Sequence, residues 1–141
     1  AVAGAAMAYA TRPPQKLAKT GVRMRRCPYP LEEVDDLVDR FCWAWGESAG
    51  DEAKVRRAMR DVVITWHPGD TFGDRGKVYR GATYSKQDVR LASREHLGLL
   101  RTALVHELCH VAFWVELNDP QRGHNGAWTK ETEALISRLQ K

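Results

Sequence analysis

Leu31, Val34, Leu37, Val38, Phe41 and Trp45 recur at the three-and-four spacing of an amphipathic helix. Pro30 and an acidic first turn, Glu32 and Glu33, suit its N-terminus, and Gly46 closes the run. A short basic helix is expected from Asp51 to about Arg60. The period then changes. "VVITW" (62–66) is β-branched and ends at the turn signal "HPGD". "KVYRGATYS" (77–85) and "DVRLAS" (88–93) follow after short polar breaks. Three strands in succession predict a small, largely antiparallel sheet. A long helix over 97–117 comes next, then the loop "NDPQRGHNG". A closing helix, "AWTKETEALISRLQ", sets Trp128, Leu135 and Leu139 on one side. Helices, then strands, then helices make the fold class α+β.

Before residue 30 the pattern fails. "TRPPQK" and "CPYP" read as breaks, so residues 1–29 are expected as a basic flexible arm and 30–141 as the domain. The charge supports that division. Arg12, Lys16, Lys19, Arg23, Arg25 and Arg26 give the first 30 residues +6 with no acid. The remaining residues hold sixteen basic and eighteen acidic side chains, so a net charge of +4 rests on a body of −2. Those six cations are the candidate nucleic-acid contacts, because displacing counterions from phosphates needs such an excess.

A length of 141 residues sets one domain as the expectation, and a hydrophobic content of 43% supports a real core. No apolar run approaches the roughly 20 residues of a membrane span. "AVAGAAMAYA" is too weakly hydrophobic for a signal segment. Cys27, Cys42 and Cys109 form no CxxC pair, and an odd count favours a reducing compartment. The five tryptophans are expected to build the core, and His67 and His96 to lie at the surface.

The chemistry gathers in "LVHELCHVAFW" (104–114). On a helix over 97–117, Leu99, Ala103, His106, His110, Phe113 and Leu117 share one face. Leu97, Leu100, Leu104, Leu108, Val111 and Val115 fill the other side, and a helix apolar all round is buried. Burying two imidazoles and a carboxylate without partners is costly. His106 and His110 are four residues apart, about 6 Å along the axis and about 40° round it, so both rings reach one metal ion. This is the H-E-x-x-H pattern of zinc peptidases. Zinc takes neutral imidazole nitrogens and lowers the pKa of its water, and Glu107, about 100° from His106, is placed as the general base. Coordination then compensates the buried rings. A third ligand is expected, and three residues are candidates: Glu131, Glu133 and His124 in a loop flanked by Gly123 and Gly126. Cys109, off the midline of the two histidines, reads as a small buried hydrophobe.

"LVHELCHVAFW" followed by "RGHNGAW", with Trp128 four residues after His124, resembles the SprT-like family of zinc metalloproteases. "VVITWH", "GKVYRGATYS" and "VRLAS" are similar to that family's three-strand segment, and the likeness spans about 31–140. Asn125 stands where the family usually has glycine. The resemblance implies a zincin-like fold, one Zn2+ per chain on His106, His110 and His124, and Glu107 as base. It implies a metalloendopeptidase acting on DNA-bound or DNA-crosslinked proteins, in the cytoplasm or at the nucleoid or nucleus. In a zincin the sheet edge takes an extended substrate, so Tyr79 or Tyr84 there would steady an oxyanion; packing is the plainer role for both. A monomer is expected. Two alternatives stand beside this reading: a free-standing zinc peptidase with an unrelated protein substrate, and a nucleic-acid-binding or scaffold protein with structural zinc.

Overall fold

A computed structural model describes residues 13–48, 50–93, 97–121 and 128–140, with side chains described except over 97–102, 128–132 and at 140. The expected helices form: α1 is Leu31–Glu47, α2 Glu52–Met59, α3 Leu97–Leu117 and α4 Trp128–Gln140. α1 buries Val34, Leu37, Val38, Phe41 and Trp45 along one stripe. α2 is capped by Asp51, whose carboxylate accepts the Lys54 amide at 3.0 Å. No helix among the described residues is long and apolar enough to cross a membrane.

The sheet departs from the expectation of three antiparallel strands. The strands are β1 (Gln15–Lys16), β2 (Arg23–Arg25), β3 (Val63–Pro68), β4 (Phe72–Asp74), β5 (Lys77–Tyr79), β6 (Gly81–Thr83) and β7 (Asp88–Ser93). Five of them make a mixed sheet in the order β1-β2-β3-β7-β6. β3 is central and parallel to both neighbours, with Arg23 opposite Val63 and Val63 opposite Asp88. The crossover from β2 to β3 is the α1–α2 pair, which supplies the length that a parallel connection needs.

The stretch 77–85, read as one strand, divides at Arg80. β5 pairs with β4 in a separate two-stranded hairpin, whereas β6 pairs antiparallel with β7 as the edge of the main sheet. Arg75 (φ 51) and Gly76 (φ 77) form the hairpin turn, and two central residues at positive φ match the right-handed strand twist.

The flexible arm is corrected over residues 13–29. β1 and β2 are sheet strands, and Leu17, Val22 and Met24 are buried in the core. Met24 meets the indole of Trp66, whose Nε1 donates to the methionine sulfur at 3.2 Å. Gly21 (φ 78) turns the chain between the two strands, with Arg60 packed close against it. Arg12 lies outside the described residues.

A buried carboxylate on α1 fastens this segment. Asp35 accepts hydrogen bonds from the Lys19 amide (2.7 Å), the Thr20 amide (3.0 Å) and the Thr20 hydroxyl (2.7 Å). Asp35→Ala would leave those donors unanswered, at a cost of roughly 2–5 kcal/mol. Chemical denaturation should show a lowered midpoint with an unchanged slope. A midpoint within error of wild type would mean that water replaces the carboxylate.

Period-two alternation sorts the sheet into two faces. Met24, Ile64, Trp66, Val89 and Leu91 point toward the helices and are buried. Arg23, Arg25, Thr65, His67 and Arg90 point the other way. Under the helices, Trp45 packs edge-on to Phe113, with centroids 5.0 Å apart. Trp66 and Trp45 are core residues, but Trp43 is half exposed. His67, expected at the surface, is half-buried and stacked on Phe72 at 4.4 Å.

Candidate active site

α3 is apolar on every side where its side chains are described: Leu104, Val105, Leu108, Cys109, Val111, Ala112 and Phe113 are all buried. Cys109 takes the role of a small hydrophobe. The polar residues of this helix gather where it crosses the edge strand β6. Glu107 and His110 are 6% and 5% exposed, while His106 opens further into a cleft of about 490 Å³. Lys77, Tyr79, Tyr84, the β6 residues Gly81, Ala82 and Thr83, and Pro120 and Gln121 supply the rest of its wall.

His106 and His110 bring their Nε2 atoms to 3.1 Å. Two neutral ring nitrogens that face each other repel unless a proton or a cation lies between them. Two nitrogens at about 2.0–2.1 Å from one tetrahedral zinc would stand about 3.3 Å apart, so the pair fits a shared ion. The far side of His110 suits either a cation or a proton from His106 between the two rings. Its Nδ1 lies 3.0 Å from the Pro120 carbonyl, which can only accept, so Nδ1 carries the hydrogen and Nε2 presents a lone pair. Asn118 makes this contact possible. It ends α3 at φ 52, with its amide on the Trp114 carbonyl at 3.0 Å, and turns the chain back toward His110.

Glu107 is held from the sheet. The Thr83 hydroxyl lies 2.9 Å from Oε1, to which it donates, and 3.2 Å from the Glu107 carbonyl oxygen. Oε2 lies 4.0 Å from His106 Nε2. Burial raises the Glu107 pKa from 4.5 to about 7, against a smaller lowering by the Thr83 hydrogen bond. A carboxyl group with that value takes up and releases a proton near neutrality.

Gly81 permits this approach. A Cβ there would lie 2.8 Å from Leu91 Cδ2 and 3.0 Å from Glu107 Oε2. Both are ends of flexible side chains, so Gly81→Ala should fold and displace Glu107. A misplacement near 1 Å costs roughly 10²-fold in rate. If Glu107 serves as a general base, the expected result is a large fall in kcat with a thermal midpoint lowered only modestly by crowding at buried Leu91; full kcat would show that Glu107 has room to spare.

Among the described residues, no group of three His, Cys, Asp or Glu side chains stands ready to hold a metal ion. His124 and the Glu131 side chain lie outside the described residues. Glu133 is exposed on α4 and takes no part in the cleft wall. Tyr84 does line the cleft, and its hydroxyl donates to Asp74 at 2.7 Å; burial foremost, with that hydrogen bond, lifts its pKa to about 12. Of the candidate nucleic-acid cations, Lys16, Arg23 and Arg25 are exposed on β1 and β2, and Arg26 follows directly. Lys19 is paired with Asp36 at 2.6 Å.

Thr83, Gly81 and Pro120 were not anticipated as parts of the site. A glycine inside a strand-like run is a signal for close approach, and "YRGATY" carries it; nothing local marks the other two. No protein-family model, no curated protein and no solved structure matches the chain.

Proposed function

We propose that this chain is a zinc-dependent metalloendopeptidase of SprT-like, zincin type. The observation that carries the reading is the pair of imidazole Nε2 atoms at 3.1 Å, with a buried glutamate beside them in an open cleft. His106 and His110 would hold the metal, with His124 as third ligand. Zinc bound there would supply a Lewis acid for a peptide carbonyl and its attacking water. Glu107 accepts the water's proton and passes it to the departing amine. Thr83 keeps that carboxylate turned to the cleft, and the Pro120 carbonyl fixes the tautomer of His110. β6 is the last strand of the sheet, and its outer edge offers backbone groups to an extended peptide, which suits cleavage within a chain. The base distinguishes this reading from a structural zinc site, which has no use for one. Proteins bound or crosslinked to DNA are the substrates that the resemblance suggests; a free protein substrate would use the same cleft.

Zinc content and ligand variants test the centre. The purified protein should carry about one zinc per chain. His124→Ala should lower zinc affinity strongly, whereas Glu131→Ala and Glu133→Ala should leave it unchanged. The opposite ranking would give the third position to a glutamate. Absence of zinc, with no thermal stabilisation on adding it, would remove the metal altogether.

A further inference from the structure

The open face of the sheet carries chemistry that a peptidase does not require. Strand register places Arg25, Thr65 and Arg90 side by side on β2, β3 and β7. Arg23 stands two residues from Arg25 on the same face, and His67 two residues beyond Thr65. Adjacent strands lie about 4.8 Å apart, so the Arg25 and Arg90 backbones are about 10 Å apart and their side chains border one cavity on either side of Thr65. These residues and Arg26 border a cavity of about 620 Å³, separate from the His106–His110 cleft.

Its charge is unbalanced. Four arginines meet two acids, Asp61 and Asp88. Asp88 is engaged by Arg90 at 3.3 Å, and among the described residues Arg23 and Arg25 have no ion-pair partner. Arg90 is also steadied over the Tyr84 ring, 4.6 Å from its centroid. His67 Nε2 is buried without a hydrogen-bond partner. Burial lowers the His67 pKa, and Arg90 and Arg26 lower it further against Asp74, as expected in a positive field.

We infer that this cavity is a binding site for a phosphate-bearing ligand of nucleotide size, held by Arg23, Arg25 and Arg90. Arginine presents a planar fork that matches two phosphate oxygens, and the Thr65 hydroxyl between the two forks adds a neutral donor. The volume lies within the usual range for small-ligand sites. Mononucleotides and the phosphodiesters of a nucleic-acid strand share this chemistry. The site does not rest on the peptidase reading: no residue lining it lines the zinc-type cleft, and Tyr84, which borders that cleft and lies under Arg90, links the two.

The test is calorimetric titration of the full chain with inorganic phosphate, adenosine monophosphate and a short oligothymidylate. Arg25→Gln and Arg90→Gln are compared with Arg57→Gln, an exposed cation on α2 remote from this face. Phosphate-bearing probes should bind wild type, and either face variant should weaken them by roughly ten- to a hundredfold. Arg57→Gln should bind as wild type. Mononucleotide binding with that pattern identifies a small-ligand site. Oligonucleotide binding alone, still lost in Arg25→Gln, identifies the same site filled by a strand. No binding by any probe overturns the inference, and so does an equal loss in Arg57→Gln, which would show general charge attraction. Thermal melts of the variants separate lost binding from lost fold.

Discussion

On the proposed peptidase reading, Glu107→Gln should abolish peptide hydrolysis while leaving zinc in place. The amide keeps the size of the carboxylate, and its oxygen can still accept the Thr83 hydroxyl, which now sits 2.9 Å from Oε1. It cannot take a proton. Losing a general base costs typically about 10²–10⁴ in rate, and the loss is greater when the same group also protonates the leaving amine. The neighbouring Nε2 atoms of His106 and His110 are untouched, so metal content should equal that of wild type. Burying a neutral amide in place of a carboxyl pushed to about 7 should not destabilise the fold. The check is a steady-state assay on an unstructured protein substrate, with zinc measured on the same preparation. Turnover close to wild type would remove Glu107 from the chemistry. Loss of zinc together with activity would make the residue part of the metal's support instead.

Deleting residues 1–26 should unfold the domain rather than merely trim it. The sequence alone casts these residues as a flexible arm outside the domain. The fold reverses that expectation. Leu17, Val22 and Met24 are no more than 1% exposed. At about 1.5–3 kcal/mol for each buried side chain, their loss is roughly 5–9 kcal/mol, comparable with the whole stability of a typical domain at about 5–15. The deletion also leaves Asp35 buried without the Lys19 and Thr20 amides, and opens a flank of β3 that β2 now pairs. Far-UV circular dichroism and a denaturation curve should show a chain without a cooperative transition. A truncated protein with a sharp transition near the wild-type midpoint would mean that these strands add little to the fold.

The helices and the paired histidines were legible because both rest on local spacing. In α1 the apolar stripe spans four turns, and His106 and His110 sit one turn apart whatever lies around them. The sheet was less legible. Alternation in "VVITW" and "DVRLAS" identifies a buried face, with Ile64 and Trp66 inward and Val89 and Leu91 opposite them. It does not say which strand lies alongside or in which direction it runs. β2 was hidden for a related reason. Met24 is one apolar residue between two arginines, too short a run to show a period, and the prolines on either side read as breaks. Its strand character comes from β3, forty residues on. The site divides the same way: His106, Glu107 and His110 came from one helix, whereas Thr83 and Pro120 act through contacts that only the folded chain creates. His124, the third ligand that the resemblance implies, lies outside the described residues.

The central position of β3 sets the order in which this chain can fold. Its partners are β2, forty residues earlier, and β7, twenty-five residues later, both in parallel. Neither pairing can be closed by a tight turn, so loop entropy is lost before any ladder bond repays it, and such topologies fold slowly, from milliseconds upward. α1 and α2 are local structures that can form first and shorten the effective loop between β2 and β3. During synthesis from the N-terminus, Leu17, Val22 and Met24 emerge well before the strand that shelters them. Until residues 63–68 leave the ribosome, that segment has one unpaired strand edge and three uncovered apolar side chains, the kind of surface on which chaperones act and aggregation begins.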